Sequence, residues 1–554
     1  MIRSVTEPQI GGCFGNAMLA SVAELRKMTR SVLTIPNRAG TPRIASARAH
    51  EHYCVPPDSI FFRVRAIHTN YKGVIIISLG FLLLNLIGLD RSPLVWMDEV
   101  TLNDPAKEWA LHGRMASSVF AGHNGFDEAY YWQPPGQPAL MALVYKIFSF
   151  GIWQTRIPGV LFGSGTLLVV YLLSFQLLGS RNGALLGAVT LGLDPKYIES
   201  ARSGRMDTQC LFLALLSVYV FVRLLQDDDE NGPNRKKIVL AGLFLGLAGI
   251  THPMAVAWVV ALGAVTMLWR NRAHLRIFLW VVVIAAVPAL VWILSVAAVG
   301  DLDLLRIQFL EHGSSRLSGG DVFKSIVDEA IRYAAEYSLA PGLLALYFGG
   351  LIWVLSHRDQ FDRAGLGLAL LFAVPALIVA LFMSKKVGFY FLHPVAILAI
   401  AAGAMMSAIW EGRLVQRASR RASQVFRSVL LLVLVNVLLA GIIGRYTALA
   451  YQWRQRDHRP VARALAEHVS PGSVVWGPPD IWYAVEKAGA SLRIRGEPDP
   501  RMHDLLVTKV GANTVLPDGV SKVGELGVAL PPVFGVVRLR STDYRMSVWA
   551  WTES

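Results

Sequence analysis

Long apolar stretches separated by short polar segments dominate the chain from residue 73 onwards. A helix that spans a bilayer needs about 20 mostly apolar residues. Runs that approach this length occur at 73–89, 157–178, 182–196, 208–225, 238–252, 254–269, 277–297, 339–356, 364–383, 388–409 and 428–445. The pattern therefore predicts a mainly α fold, a polytopic transmembrane bundle of about 11 spans within residues 73–445.

One further apolar segment, Pro138 to Ser149, is short, and counting it as a span would reverse the side of every later loop. We predict an interfacial or re-entrant helix there. The positions of the basic residues favour this choice, since the positive-inside rule assigns short Lys/Arg-rich loops to the cytoplasm. If Pro138 to Ser149 does not span the membrane, the Lys/Arg-rich loops at 181, 235–237, 270–272, 358–363 and 413–427 all lie on the cytoplasmic side.

Two segments flank the predicted bundle. Residues 1–72 hold ten Lys/Arg against four Asp/Glu and lack an apolar signal region. They are predicted to form a basic, mostly disordered cytoplasmic tail ahead of an uncleaved first anchor. Residues 446–554 combine a helical pattern at 461–469 with β-type runs at 472–476, 481–483 and 536–539. A small extracytoplasmic α/β domain is expected there.

Composition agrees with a membrane protein. Hydrophobic residues make up 54% of the 554 residues, charged residues 17%, and the mean hydropathy is +0.44, whereas soluble domains carry about 25% charged residues. The net charge of +14 lies mostly beside apolar runs, where topology and anionic lipids explain it, so nucleic acid is not an expected partner. Cys13, Cys54 and Cys210 show neither zinc-ligand spacing nor a disulfide framework.

The candidate chemistry gathers on the predicted outer face, which includes the loop 90–156. Asp-Glu pairs begin at 98, 127, 229 and 328, so adjacency alone is uninformative. Asp98 is favoured because it follows the first span closely, where the low-dielectric bilayer can tune a general base. Glu99 is assigned a supporting role. The alternatives are that the pair only caps a loop helix, or that Asp127 and Glu128 in the same loop carry the chemistry.

Arg205 and Asp207 lie at the outer mouth of the fourth predicted span. Asp207 could shape a site opposite Asp98, or it could simply cap its helix. Gln133 opens a Gln-Pro-Pro-Gly break before the interfacial helix, beside aromatic residues typical of the membrane interface.

Lys385, Lys386 and Tyr390 also fall at an outer mouth, contrary to the usual preference of lysine for the inner side. Two ammonium groups there suit a phosphate at the membrane surface, although snorkelling lysines give the same pattern. His252, before Pro253, is a further candidate, but a single histidine at a helix junction is more often structural.

A series of short motifs follows the same order along about residues 73–410. They are Asp98-Glu99, Pro134-Pro135, Arg156-Ile157-Pro158, Leu161-Phe162-Gly163, Leu178 to Arg181, Asp194-Pro195, Arg205 to Asp207, Gly246 to Thr251, and Lys386 followed by Tyr390-Phe391-Leu392 and Pro394. In this order the motifs resemble those of the GT-C membrane glycosyltransferases. The resemblance is to bacterial relatives of dolichyl-phosphate-mannose protein mannosyltransferases (glycosyltransferase 39/83) and of the aminoarabinose transferases that modify lipid A.

The resemblance implies an inverting transfer of a sugar from a polyprenyl-phosphate donor to a lipid, glycan or protein acceptor at the outer face of the bacterial inner membrane. Asp98 would be the general base, Asp207 would shape the sugar site and Lys386 would approach the donor phosphate. The chain departs from the family at two positions. Neutral Gln133 precedes the prolines where a basic residue is common, and His252 stands where lysine is frequent, which would shift phosphate binding to Lys385, Lys386 or protonated His252.

Other functions remain open at the level of sequence. A transporter or flippase of lipid-linked substrates would show charged or broken spans at the bilayer midplane and internal repeats, whereas the ionisable groups here gather at one mouth. A non-catalytic scaffold would leave Asp98 dispensable, and oligosaccharide transfer to protein is a further alternative. No cofactor is specified, but paired carboxylates at this face could bind a divalent cation.

Overall fold

The computed structural model of the chain describes residues 71–226, 233–269, 271–311, 321–383, 388–413, 420–494, 505–510, 516–527 and 545–551. Helices dominate these residues, and a small mixed sheet lies near the C-terminal end. The predicted fold class, a helical bundle with a small C-terminal α/β part, is therefore confirmed.

Ten helices precede residue 300. They are α1 (Lys72–Leu86), α2 (Met97–His112), α3 (Gly136–Phe148), α4 (Ile152–Leu178), α5 (Arg181–Leu193), α6 (Pro195–Ala201), α7 (Asp207–Gln226), α8 (Arg235–Thr251), α9 (Ala255–Trp269) and α10 (Arg272–Ala298).

The rest of the described chain contains nine α-helices and five strands, together with two π-helices, Arg306–Glu311 and Leu439–Ile443, and two 3₁₀ helices, Gly388–Phe391 and Pro479–Ile481. The helices are α11 (Leu302–Leu305), α12 (Val322–Glu336), α13 (Pro341–Ser356), α14 (Arg358–Phe382), α15 (Leu392–Trp410), α16 (Arg420–Leu438), α17 (Gly444–Tyr451), α18 (Arg459–Ala466) and α19 (Trp482–Lys487). The strands are β1 (Val474–Trp476), β2 (Ser491–Arg493), β3 (Leu505–Lys509), β4 (Val520–Leu526) and β5 (Met546–Trp551).

Within the described ranges, six helical stretches are long and apolar enough to cross a membrane: Ile152–Leu178, Asp207–Gln226, Arg272–Ala298, Arg363–Phe382, Gly388–Trp410 and Arg421–Tyr451. Three shorter apolar helices, α1, α9 and α13, accompany them. The count of eleven spans stays a prediction. The segment predicted to be interfacial forms α3, whose 13 residues extend only about 20 Å at 1.5 Å per residue.

Small residues let α5 and α15 approach each other closely in the centre of the bundle. A Cβ added at Gly403 of α15 would collide with backbone atoms of Gly183 and Gly187 on α5. Close backbone approach through small residues is the usual way in which helices associate in membranes, where the hydrophobic effect adds little.

Replacing Gly403 by alanine should lower the free energy of unfolding by about 1–3 kcal/mol, because the new methyl group meets backbone rather than a side chain that can move. Thermal unfolding of the detergent-solubilised protein would measure this loss. Gly80→Ala is the matched control, since no atom lies within 4 Å of a Cβ at Gly80, and it should be neutral or stabilising by up to about 1 kcal/mol. Equal melting temperatures for both variants would contradict the close packing.

The C-terminal sheet has the strand order β2-β1-β3-β5-β4. Strand β1 pairs in parallel with β2 and β3, and β5 pairs antiparallel with β3 and β4. The expected strand at 472–476 is present as β1. The expected strand at Ile481 to Tyr483 is wrong, because Pro478 and Pro479 lead into a 3₁₀ turn that continues directly into α19. The run 536–539 lies outside the described residues.

This C-terminal α/β part packs directly against the start of α2 and the segments on either side of α2. Val95, Val100 and Val119 share one hydrophobic cluster with Trp482 and Val485 of α19. Trp482 and Val485 have no exposed surface. The start of α2 and the C-terminal sheet therefore lie on the same side of the helical bundle.

Candidate active site

A chain of three ionic side chains lies where α2 and α7 begin. Arg205 forms ion pairs with Asp98 and with Asp207, the latter with 2.7 Å between Arg205 Nε and Asp207 Oδ2. The side chains of Arg205 and Asp207 are 3% and 0% exposed, whereas that of Asp98 is 33% exposed. Asp98 is thus the member of the chain that reaches the surface.

The backbone before Arg205 depends on a glycine. Gly204 has φ +65°, and a Cβ at this position would lie 2.8 Å from Thr155 Cγ2, so a larger residue would be strained. The Gly204 carbonyl accepts a hydrogen bond of 2.8 Å from Asn103 Nδ2. This bond ties the Arg205 loop to α2, the helix that carries Asp98.

Arg205 keeps its positive charge despite its burial. Burial lowers the pKa of Arg205, but the carboxylates of Asp207 and Asp98 outweigh burial and raise that pKa above its ordinary value. The guanidinium carbon also lies 4.4 Å from the ring centre of Phe389 and 5.6 Å from that of Trp96, within the range of cation–π attraction. Aromatic rings and carboxylates together hold this cation beside Asp98.

Glu99 has a different environment from its neighbour Asp98. Its carboxylate is fully buried and accepts two hydrogen bonds from Arg156, Nε to Oε1 at 2.8 Å and Nη2 to Oε2 at 2.7 Å. Arg156 also donates to the carbonyls of Leu89 and Pro93. Glu99 therefore joins α2 to α4 and to the segment before α2, rather than facing solvent.

A second side chain, from the C-terminal part of the chain, also binds the Glu99 carboxylate. The hydroxyl of Tyr483 donates to Glu99 Oε1 at 3.0 Å. Tyr483 is 6% exposed and its ring stacks on Phe150 with 5.4 Å between ring centres. The acidic pair thus has one carboxylate at the surface and one in a buried hydrogen-bond network.

An arginine of the helical bundle also binds the connection between α1 and α2. Arg202 is fully buried and donates from Nε to the carbonyl of Ser92 at 3.0 Å and from Nη2 to those of Ile87 and Gly88 at 3.0 Å each. These carbonyls follow the end of α1, where the backbone no longer provides helical N–H donors. Arg202 thereby fixes the short connection between α1 and the acidic pair.

Gln133 lies in a buried chain of amides. Its Nε2 donates to Gln137 Oε1 at 2.7 Å, and Gln137 in turn donates to Asn103 Oδ1 at 2.8 Å. Because Asn103 also holds the Gly204 carbonyl, Gln133 is connected to the Arg205 loop through two side chains. The structure places it behind the ionic chain, at 2% exposure.

His252 and Tyr390 lie together near the other end of the ionic chain. Their rings are 5.9 Å apart in an edge-to-face arrangement, and His252 Nδ1 accepts a hydrogen bond of 2.9 Å from the Met254 amide. His252 is 5% exposed and Tyr390 9%. Lys385 and Lys386 lie outside the described residues.

The rival acidic pair is separate from this arrangement. Asp127 and Glu128 lie on the loop between α2 and α3, and Gln308 fixes that loop by donating to the carbonyls of Asn124 and Ala129. Within the described ranges neither carboxylate takes part in the ionic chain of Arg205. The described residues also contain no group of three or more His, Cys, Asp or Glu side chains suited to hold a metal ion.

The comparisons with known proteins address the fold. Residues 132–295 match the dolichyl-phosphate-mannose-protein mannosyltransferase family. The structure resembles that of ArnT from Cupriavidus metallidurans bound to undecaprenyl phosphate, with a TM-score of 0.57, 16% sequence identity, and coverage of 87% of this chain and 98% of ArnT. The chain has the GT-C fold. This fold and the six long apolar helices found among the described residues place the chain in a membrane.

Two further similarities are more distant or shorter. The apo oligosaccharyltransferase of Archaeoglobus fulgidus has a TM-score of 0.50 at 12% identity, over 78% of this chain and 65% of that one. An uncharacterized protein of Aquifex aeolicus (strain VF5) is 31% identical over 128 residues, which are 23% of this chain. The chain spans about a quarter of the length of that curated relative, 25%.

Within this GT-C fold the family match and the ionic chain overlap only in part. The matched segment includes Gln133, Arg205, Asp207 and His252, but Asp98 and Tyr390 lie outside it. The Arg205–Asp98 ion pair and the His252–Tyr390 ring contact therefore connect the matched segment to residues on either side of it.

Several residues of the site were not found from the sequence as site residues. Arg156 carried a usable signal, since an arginine beside an apolar run needs a carboxylate partner when it is buried. Trp96 and Phe389 are aromatic residues without a distinguishing spacing. Tyr483 follows its partner Glu99 by 384 residues, and nothing local in the sequence indicates that contact.

A second polar cluster joins α2 to the C-terminal part in this GT-C chain. Lys107 Nζ lies 3.2 Å from Asp104, 3.1 Å from Glu108 and 2.8 Å from Glu486 of α19. Burial raises the pKa of Glu486, Lys107 lowers it, and the Asp104 and Glu108 carboxylates raise it again, so that the resulting pKa is about 7. One ammonium cannot balance three carboxylates, so the cluster favours an extra proton.

The free energy of unfolding should fall as the pH rises from about 5 to about 8, because of the Glu486 carboxyl. The folded-state pKa of Glu486 is about 7 and its ordinary value is 4.5, so between these values the folded state binds more protons than the unfolded state. The loss is at most about 3 kcal/mol, at 1.36 kcal/mol per pKa unit. Thermal unfolding across this pH range would measure it. Glu486→Gln should flatten the profile, and an unchanged profile would contradict the assignment to Glu486.

Proposed function

We propose that the chain is an integral-membrane glycosyltransferase that moves a sugar from a polyprenyl-phosphate-linked donor to a lipid, glycan or protein acceptor at the outer face, with inversion at the anomeric carbon. The observation that carries this proposal is the partly exposed Asp98 carboxylate at the end of the buried Arg205–Asp207 pair, within a GT-C fold. A carboxylate beside a fixed cation suits a displacement in which a hydroxyl attacks and a phosphate leaves.

In the proposed reaction Asp98 accepts the proton of the acceptor hydroxyl as that oxygen attacks the anomeric carbon. The new glycosidic C–O bond forms while the bond between the anomeric carbon and the phosphate oxygen breaks. Polyprenyl phosphate leaves with the electron pair of that bond. Attack from the face opposite the phosphate inverts the anomeric configuration.

Arg205 has two functions in this proposal. It orients the Asp98 carboxylate through their ion pair, and its charge favours negative charge that develops nearby on the leaving phosphate. Asp207 holds Arg205 from behind and so fixes the position of the cation. Lys386, with Lys385 and His252, remains a proposed contact for the donor phosphate, and Tyr390 would lie beside it. Gln133, which is buried, would support the Arg205 loop through Gln137 and Asn103.

The donor class is supported by the similar ArnT fold, which was solved with undecaprenyl phosphate. Placement of the site outside the cytoplasmic membrane, with the N-terminus inside, rests on the Lys/Arg pattern of the loops. It is supported by the packing of the C-terminal α/β part against the start of α2, since the site and that domain then share one side.

The test is a transfer assay with the purified full-length chain in proteoliposomes and a panel of polyprenyl-phosphate sugars. We expect one donor class to be cleaved. Free polyprenyl phosphate should be released, and the sugar should appear on an acceptor supplied in the proteoliposomes. Movement of the intact donor between leaflets without cleavage would instead favour a transporter. No cleavage of any donor in the presence of membrane acceptors would contradict the proposed transfer.

A further inference from the structure

We infer that the C-terminal domain positions the helix that carries Asp98, and that Tyr483 is the positioning residue. The inference rests on the proposed function, because its consequence is a correctly placed general base. It concerns a residue far from the ionic chain in sequence, in a domain that contributes no described side chain to that ionic chain. Tyr483 acts through Glu99, which is next to Asp98 in the first turn of α2.

The Tyr483 contact is built into a rigid environment. Its hydroxyl donates to Glu99 Oε1 at 3.0 Å, and the same oxygen accepts from Arg156 Nε at 2.8 Å. Phe150 packs on the ring of Tyr483 and, edge-on, on that of Trp482. Because the ring of Tyr483 is buried and contacts both Phe150 and Trp482, the hydroxyl has little freedom to move away from Glu99.

A second contact holds the same helix further along. Glu486 lies three residues after Tyr483 on α19, so the two side chains project from neighbouring positions of one helical face. Its carboxylate meets Lys107 of α2 at 2.8 Å. Glu99 and Lys107 are separated by about 12 Å along α2 at 1.5 Å per residue. Two attachments at that distance limit both tilting and rotation of the helix.

Rotation matters because adjacent helical residues point about 100° apart, as 3.6 residues complete a turn. Glu99 points into the protein and Asp98 points toward the surface. A shift of Glu99 around the helix axis therefore displaces Asp98 by a comparable angle. Reaction geometry is sensitive to such displacements, since misplacement by about 1 Å can cost a factor of 100 in rate.

The Arg156 pair makes Tyr483 a suitable residue to test. Removing only the phenolic oxygen leaves both Arg156 hydrogen bonds to Glu99 in place, so the buried charge stays compensated and the fold is retained. What is lost is the attachment of Glu99 to the C-terminal domain. A modest fall in kcat after this substitution can then be assigned to a change in the position of α2.

The experiment compares Tyr483→Phe with wild type in the full-length chain, with a polyprenyl-phosphate sugar as substrate. We expect kcat to fall about tenfold, the equivalent of part of a hydrogen bond to a charged group, while KM for the donor stays within twofold. Amide hydrogen exchange of residues 97–101 should become faster, since local opening of the first turn of α2 is easier.

Tyr197→Phe is the matched control. Tyr197 is also a buried tyrosine whose hydroxyl donates a short hydrogen bond, 2.6 Å to the carbonyl of Gly163, and it lies on α6. It should leave kcat and the exchange of residues 97–101 unchanged. If Tyr483→Phe proved unstable, Glu486→Gln and the amide exchange of residues 106–109 would test the second attachment of α2 to the C-terminal domain in the same way.

The outcomes separate this inference from the proposed function. Wild-type transfer with unchanged kcat and unchanged exchange in Tyr483→Phe would overturn the positioning role and leave the transferase proposal standing. Loss of activity in both tyrosine variants together would also overturn it, because that pattern reflects general stability. Absence of transfer in wild type overturns the proposed function itself, and faster exchange in Tyr483→Phe would still support the attachment of α2.

Discussion

Replacing Asp98 by asparagine is expected to lower kcat for sugar transfer by a factor of about 10²–10⁴, the usual contribution of a general base. Asparagine has the same shape and its amide oxygen can still accept from Arg205, but it cannot take up the proton of the acceptor hydroxyl. Because the Asp98 side chain is 33% exposed, the melting temperature should change little. Initial rates with saturating donor in proteoliposomes would measure the effect.

Asp127→Asn is the matched control for this variant. Asp127 belongs to the other Asp-Glu pair of the same loop and takes no part in the ionic chain of Arg205. Its replacement should leave kcat within about twofold of wild type, as expected for a residue outside the reacting groups. Full activity of Asp98→Asn with donor bound, or a larger loss in Asp127→Asn, would transfer the role of base away from Asp98.

The sequence predicts the bundle well because membrane helices must satisfy their backbone groups internally, which leaves long apolar runs as a clear signal. Local signals also indicated that Asp98, Arg205 and Asp207 belong to one face, and the structure connects them through direct ion pairs. Their chemical roles stay predictions. Arg205 could be identified because a cation and an anion two residues apart mark the start of a span.

Contacts between distant segments cannot be predicted from local patterns in the sequence. Glu99 meets Arg156 across 57 residues and Tyr483 across 384, and no periodicity encodes which buried charges will pair. The run Ile481 to Tyr483 shows a related difficulty. A short apolar and aromatic run fits either a strand or a helix, and here the preceding prolines favour a turn and a helix. That choice places Tyr483 where it can reach Glu99.

The buried Glu99–Arg156 pair leads to the largest expected effect on stability. Arg156→Met should lower the free energy of unfolding by about 3–5 kcal/mol, the usual cost of breaking a buried ion pair by removing one partner. Glu99 has no exposed surface, so its charge would be left with Tyr483 as its remaining side-chain donor among those described here. The carbonyls of Leu89 and Pro93 would also lose their donor. Thermal unfolding in detergent at constant pH measures the change.

Arg413→Met is the control for charge removal, because Arg413 pairs with Glu411 at 2.8 Å while both side chains are more than one third exposed, 39% and 36%. Exposed pairs contribute about 0–1 kcal/mol, so this variant should unfold near the wild-type temperature. Adding Glu99→Gln to Arg156→Met should recover part of the lost stability, since a neutral amide is less costly to bury than an unpaired carboxylate. If the double variant were no more stable than Arg156→Met, the loss would belong to the Leu89 and Pro93 carbonyls rather than to the charge of Glu99.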